Sequence, residues 1–119
     1  MQEKNHLVRY CILSGLPIPA GKISRDHYYP RSKLPRKIAM RGDNIYPAHT
    51  LLNTIKRDLL PCQWHDMRWE LTYRAIETWN ISAEDRQFLR DAMKNWLAWE
   101  YNPCDYCIAA RYHKYCLQR

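Results

Sequence analysis

At 119 residues and 14.4 kDa the chain has room for one compact domain, because a second independent core would be too small to sustain itself. A hydrophobic share of 46% with five tryptophans excludes a disordered tail. A mean hydropathy of −0.67 and the lack of any long apolar run exclude a membrane span. Nineteen Lys plus Arg against twelve Asp plus Glu give +7, a balance that favours polyanions by counterion release.

Met1 to His6 carries no apolar stretch of signal-peptide type, so a soluble protein of the reducing cytoplasm, with no membrane partner, is expected. Five cysteines is an odd number, and in that compartment a C-x-x-C pair such as Cys104 and Cys107 holds metal more often than a disulfide.

Composition divides the chain near Pro61. Residues 1–61 contain six of the seven prolines and all three glycines; residues 62–119 read as a helical extension with a C-terminal C-x-x-C tail, packed on the first part as one compact domain. Pro17, Pro19 and Gly21 mark a turn-rich hairpin or loop, and Ile23 to Tyr29 a short strand running into Pro30. Arg31 to Arg41 is a basic loop with little periodicity. Asp43 to Pro47 suits a second strand. Ala48 to Arg57 places Leu51, Leu52 and Ile55 on one buried helical stripe.

Beyond Pro61, Met67, Leu71, Ala75 and Trp79 recur every four residues, as do Phe88, Ala92 and Trp96 beside Leu89, Met93 and Leu97. Two amphipathic helices are predicted. The second starts at a Ser82-x-x-Asp85 capping box and ends before Pro103. The expected class is therefore α+β, in the order strand, loop, strand, helix, followed by two helices and a Cys-containing tail. The tryptophans fit a helical core better than base stacking.

Hydrolysis of a phosphodiester needs an activated water, a Lewis acid against the phosphate charge and stabilisation of the departing oxygen. Adjacent Asp26 and His27 on a strand would point to opposite faces and take separate roles, one holding metal while the other faces water.

Asp26-His27-Tyr28-Tyr29-Pro30-Arg31-Ser32 resembles the first strand of the HNH (ββα-metal, or His-Me finger) endonucleases, commonly D-H-x-x-P-x-S. Asn44 through Asn53 to Lys56 resembles the second half of that motif, an Asn followed nine residues later by a metal-ligating Asn or His, then a Lys. The resemblance covers residues 11 to 60. It implies that Asp26 and Asn53 ligate one divalent ion, that His27 is the general base, and that Asn44 ties the inter-strand loop and fixes the imidazole. Two oxygen ligands suit Mg²⁺ or Mn²⁺. Arg31, Lys33, Arg36, Lys37, Arg41, Lys56 and Arg57 would contact DNA. Each residue also has a plainer reading: Asn44 as a turn former, Asn53 as a helix-surface residue, His49 as a packed core histidine, Lys56 and the arginines as a solvated face.

Many HNH domains carry two C-x-x-C knuckles around a structural zinc. Here those positions read Cys11 with Ser14 and His49 with Leu52, so half of each knuckle is missing. The resemblance implies that Cys11 and His49 lie close together, and Cys104 with Cys107 would complete a Cys₃His set for Zn²⁺. A second set gathers Cys104, Cys107 and Cys116 with Cys62 or His113. Cysteines packed as small apolar residues are the alternative to both. Lys33-Leu34-Pro35-Arg36 also replaces the paired glycines common in the family's loop.

Two functions are expected from this pattern. The first is a metal-dependent DNA endonuclease using one ion and a histidine base, of the size of free-standing HNH proteins from phages and mobile elements, with specificity drawn from DNA shape or a protein partner. The second is a non-catalytic nucleic-acid- or protein-complex-binding module that keeps the ββα shape. A redox role for Cys104-x-x-Cys107 lacks the βαβ setting such motifs use.

Overall fold

Side chains alternating across an extended backbone organise the first half of the chain. Strand β1 (Ile23–His27) pairs antiparallel with β2 (Ile45–His49) in a register that sets Arg25 opposite Pro47, Asp26 opposite Tyr46 and His27 opposite Ile45. Helix α1 (Thr50–Lys56) follows β2 directly and packs on both strands. Helices α2 (Pro61–Thr78) and α3 (Ala83–Trp96) complete the fold, α2 against α1 and α3 against α2. This is a small α+β arrangement in the expected β-β-α-α-α order. The computed structural model describes residues 8–28 and 44–99. The expected basic loop and the Cys104 to Arg119 tail lie outside those residues.

Local chemistry sets the boundaries. His49 stays extended (φ −63°, ψ 134°) and its Nδ1 accepts the Leu51 N–H at 3.0 Å, so it serves as the N-cap of α1; β2 runs two residues further than expected and the helix begins at Thr50. The helix stops where Arg57 turns to φ +57° and donates its N–H to Asn53. Pro61 opens α2, because the N–H it lacks would be unsatisfied there anyway. Ser82 caps α3 through its Oγ, which accepts the Asp85 N–H at 3.0 Å as the capping box predicts.

The core joins both halves. Cys11, Leu13 and Ile18 from the N-terminal turn meet Ala48, Leu52 and Ile55 of the hairpin and α1, Trp64, Ala75 and Ile76 of α2, and Phe88, Leu89, Ala92 and Trp96 of α3. Trp96 crosses the rings of Trp64 and Trp69 edge to face, and its Nε1 donates to Leu13 O at 2.9 Å. The predicted face of α3 is the buried one, although Leu97 lies past the helix and is exposed.

On α2 the buried face differs from the Met67, Leu71, Ala75, Trp79 stripe. Met67 and Trp79 are exposed, while Trp64, Thr72, Ala75 and Ile76 face inward. The reason is polar: Arg68 lies over the Trp96 ring at 5.2 Å and Thr72 is fully buried, so two positions of the true stripe carry no apolar signal.

Candidate functional site

Within β1, Ser24 and Asp26 turn toward α1, whereas Arg25 and His27 turn to the opposite face of the hairpin. Asn53 and Lys56 are three residues apart on α1, hence neighbours on its surface, and both reach the same strand. Asn53 Nδ2 donates to Ser24 Oγ at 3.2 Å and to Arg25 O at 3.4 Å. Lys56 Nζ donates to Asp26 Oδ1 at 3.2 Å and to His27 O at 3.3 Å. Four polar groups of the strand are thereby held by two helix side chains.

Asp26 and Lys56 are both sealed from solvent. Burial raises the Asp26 pKa above the ordinary carboxylate value, and the neighbouring Lys56 works against that shift. The same burial lowers the Lys56 pKa, opposed by Asp26. Each group thus makes the other's charge tolerable in a place where either alone would be neutralised. Asp26 Oδ2 is buried and accepts no hydrogen bond among the described residues.

His27 is half-buried, and just beyond it the Tyr28 N–H donates to Asn44 O at 2.9 Å. Asn44 is buried, and this bond carries the strand pairing one step past His27 toward the inter-strand loop. The expected positions Asp26, His27, Asn44 and Asn53 therefore all lie in the β1–β2–α1 unit, Asn44 at its loop end and Asn53 against Ser24 and Arg25.

Lys56 does not lie on a solvated, phosphate-facing surface. Its ammonium points inward, where Asp26 Oδ1 and the His27 carbonyl accept its hydrogen bonds. Arg57 is exposed. Arg31, Lys33, Arg36, Lys37 and Arg41 lie outside the described residues, as do Cys104 and Cys107.

Cys11 and His49 do lie together. The His49 N–H donates to Cys11 Sγ at 3.3 Å, while Ser14 Oγ accepts the Leu16 N–H at 3.2 Å. His49 is fully buried, stacks on Phe88 with ring centroids 4.0 Å apart, and brings Nε2 to 3.9 Å from Asp85 Oδ1. Asp85 also pairs with Lys22 at 3.2 Å. Burial lowers the His49 pKa, Asp85 raises it and Lys22 lowers it further. Among the described residues no group of three or more His, Cys, Asp or Glu side chains is arranged to hold a metal.

Ser24 and Arg25 were not singled out from the sequence. The period-2 reading of Ile23 to His27 is the signal that points to them, since it sets Ser24 beside Asp26 and Arg25 beside His27. No protein-family model, no curated protein and no solved structure matches this chain.

Proposed function

We propose that this protein is a metal-dependent DNA endonuclease of the ββα-metal kind, in which His27 is the general base and Asp26 and Asn53 hold one divalent ion. The observation that carries the reading is the disposition of β1 under α1. Asp26 turns inward toward α1, the helix that carries Asn53, while the adjacent His27 turns to the other face, within an element order that suits such a unit.

The donor set fits Mg²⁺ or Mn²⁺. Asp26 Oδ2 is a buried carboxylate oxygen lacking a hydrogen-bond partner among the described residues, and Asn53 donates through Nδ2, leaving its Oδ1 as a hard oxygen ligand. When bound, the ion would supply Lewis-acid stabilisation of the phosphate and the departing oxygen. His27 would take the proton of the attacking water, general-base help worth roughly 10²- to 10⁴-fold. Asn44 would steady the strand end next to it through the Tyr28 N–H. Asn53 would hold the strand at Arg25 O.

A second reading is a non-catalytic nucleic-acid- or protein-binding module of the same shape. The Lys56–Asp26 pair favours it, because a resident ammonium already neutralises the carboxylate. Zinc at Cys11 and His49, completed by Cys104 and Cys107, belongs to the proposal in either reading, as does a protein partner that confers specificity. Supercoiled plasmid with Mg²⁺ or Mn²⁺, beside EDTA and His27→Ala controls, separates the two: metal-dependent nicking lost in the variant supports the enzyme, and none in any condition supports the module.

A further inference from the structure

On the face of the hairpin turned away from α1, Ile23 and Arg25 are exposed. A groove of about 290 Å³ lies along this face, lined by Arg9, Ile23, Arg25, Ile45 and Pro47 together with Ser24 and Tyr46, whose register partners Ala48 and Asp26 belong to the α1 side. Residues directly opposite in the register share a face, so Arg25 with Pro47 and His27 with Ile45 belong to this side. By the same alternation His27 belongs to this side, one pleat beyond Arg25 and about 7 Å along the strand, outside the groove lining and with its Nε2 buried.

Arg9 is held beside the hairpin by backbone bonds. Its carbonyl accepts the Ile18 N–H at 2.8 Å, Tyr10 bridges to Pro17, and the Ile12 N–H donates to Pro47 O at 3.0 Å, which ties the N-terminal turn to β2. Both Arg9 and Arg25 are exposed. Neither forms an ion pair with a described residue, and among the described residues no carboxylate lines the groove.

We propose that this groove binds the phosphodiester backbone of duplex DNA, with Arg9 and Arg25 as its phosphate contacts. The ligand class rests on the endonuclease reading above. The guanidinium is a planar fork that meets phosphate oxygens in pairs, and two guanidinia with no ion pair among the described residues, beside apolar Ile23, Ile45 and Pro47, match a polyanion. A strand seated on Arg25 runs along the face that carries His27, which links binding to the proposed chemistry. Arg9 and Arg25 here act as positioning residues, since they fix register without reading bases.

The test is fluorescence anisotropy of a labelled DNA duplex with the full chain in EDTA, between about 50 and 200 mM salt. Arg9→Ala and Arg25→Ala are each expected to weaken binding about tenfold and to reduce the slope of log affinity against log salt by about one. Arg90→Ala, which removes the same charge from the exposed side of α3, leaves both unchanged. The proposal is overturned if the two variants bind as the wild type does, if Arg90→Ala loses as much, if duplex DNA is not bound, or if single-stranded RNA is bound more tightly. Because binding is read without metal, a chain that binds through these arginines yet cuts no plasmid defeats the endonuclease reading alone. A chain that cuts plasmid while its salt slope ignores both arginines defeats the groove alone.

Discussion

The ammonium of Lys56 lies 3.2 Å from Oδ1 of Asp26, and both side chains are sealed beneath α1. Removing one partner of such a pair leaves an uncompensated charge indoors, which typically costs about 3–5 kcal/mol, whereas removing both can be nearly neutral. Lys56→Met should therefore unfold at markedly lower urea than wild type, and Asp26→Asn with Lys56→Met should recover most of the loss. Additive single effects in that double-mutant cycle would show that the two side chains do not interact.

The pH dependence of Lys56→Met follows from the same pair. Burial raises the folded-state pKa of Asp26, and the variant loses the Lys56 interactions that oppose this rise. A raised pKa contributes stability that is present below the unfolded carboxylate value and is lost as pH rises through the folded one. The deficit of Lys56→Met relative to wild type should be small in acid and grow toward neutral pH. Thermal melts across that range check this, and a deficit constant with pH would contradict it.

With the ammonium gone, Asp26 Oδ1 is also open to a cation. If Asp26 holds metal, Mn²⁺ should raise the Tm of Lys56→Met by more than that of wild type, because ligand binding to the folded state stabilises in proportion to affinity. Equal shifts, or none, would argue that the carboxylate serves only the ion pair.

His49 titrates in the opposite sense. Burial lowers its folded-state pKa, so its contribution to stability is present above the ordinary imidazole value and is lost as pH falls through the folded one. Protonation also places a hydrogen on Nδ1, which then cannot accept the Leu51 N–H at the start of α1. Wild type should lose Tm between about pH 6.5 and more acid conditions. His49→Asn, which keeps a capping oxygen and does not titrate, should lose less over the same interval, as thermal melts in matched buffers would reveal.

The element order could be read directly from the sequence, because turn formers separate β-type residues from apolar positions at helical spacing. The inner and outer faces of β1 follow from alternation alone. Two things could not be read. Lys is almost never buried unless paired, and the partner of Lys56 lies thirty residues earlier, so only the fold brings Asp26 beneath it. His49 is an uncommon N-cap, and its ring replaces the Ser, Thr, Asp or Asn that normally announces a helix start, which is why α1 begins later than its apolar pattern indicates. The proximity of Cys11 and His49, by contrast, is what the resemblance to HNH domains implies, and it takes the form of a sulfur-accepted hydrogen bond.

The turn that carries Cys11 depends on one glycine. Gly15 adopts φ +79°, donates to Cys11 O at 2.7 Å, and a Cβ there would sit 3.0 Å from Asn95 Nδ2, which itself donates to Ser14 O at 2.7 Å. Gly15→Ala should cost about 1–2 kcal/mol through backbone strain and loss of the Asn95 contact. A urea midpoint equal to wild type would show that the turn relaxes without penalty.

The central claim is tested most directly by plasmid cleavage. Wild type with Mn²⁺ or Mg²⁺ should convert supercoiled DNA to nicked or linear product, EDTA should stop it, and His27→Ala, folded as judged by circular dichroism, should be inactive while retaining DNA affinity. Metal-dependent cleavage undiminished in His27→Ala would contradict the assignment of the base, and no cleavage by the wild type with either metal would contradict the endonuclease itself.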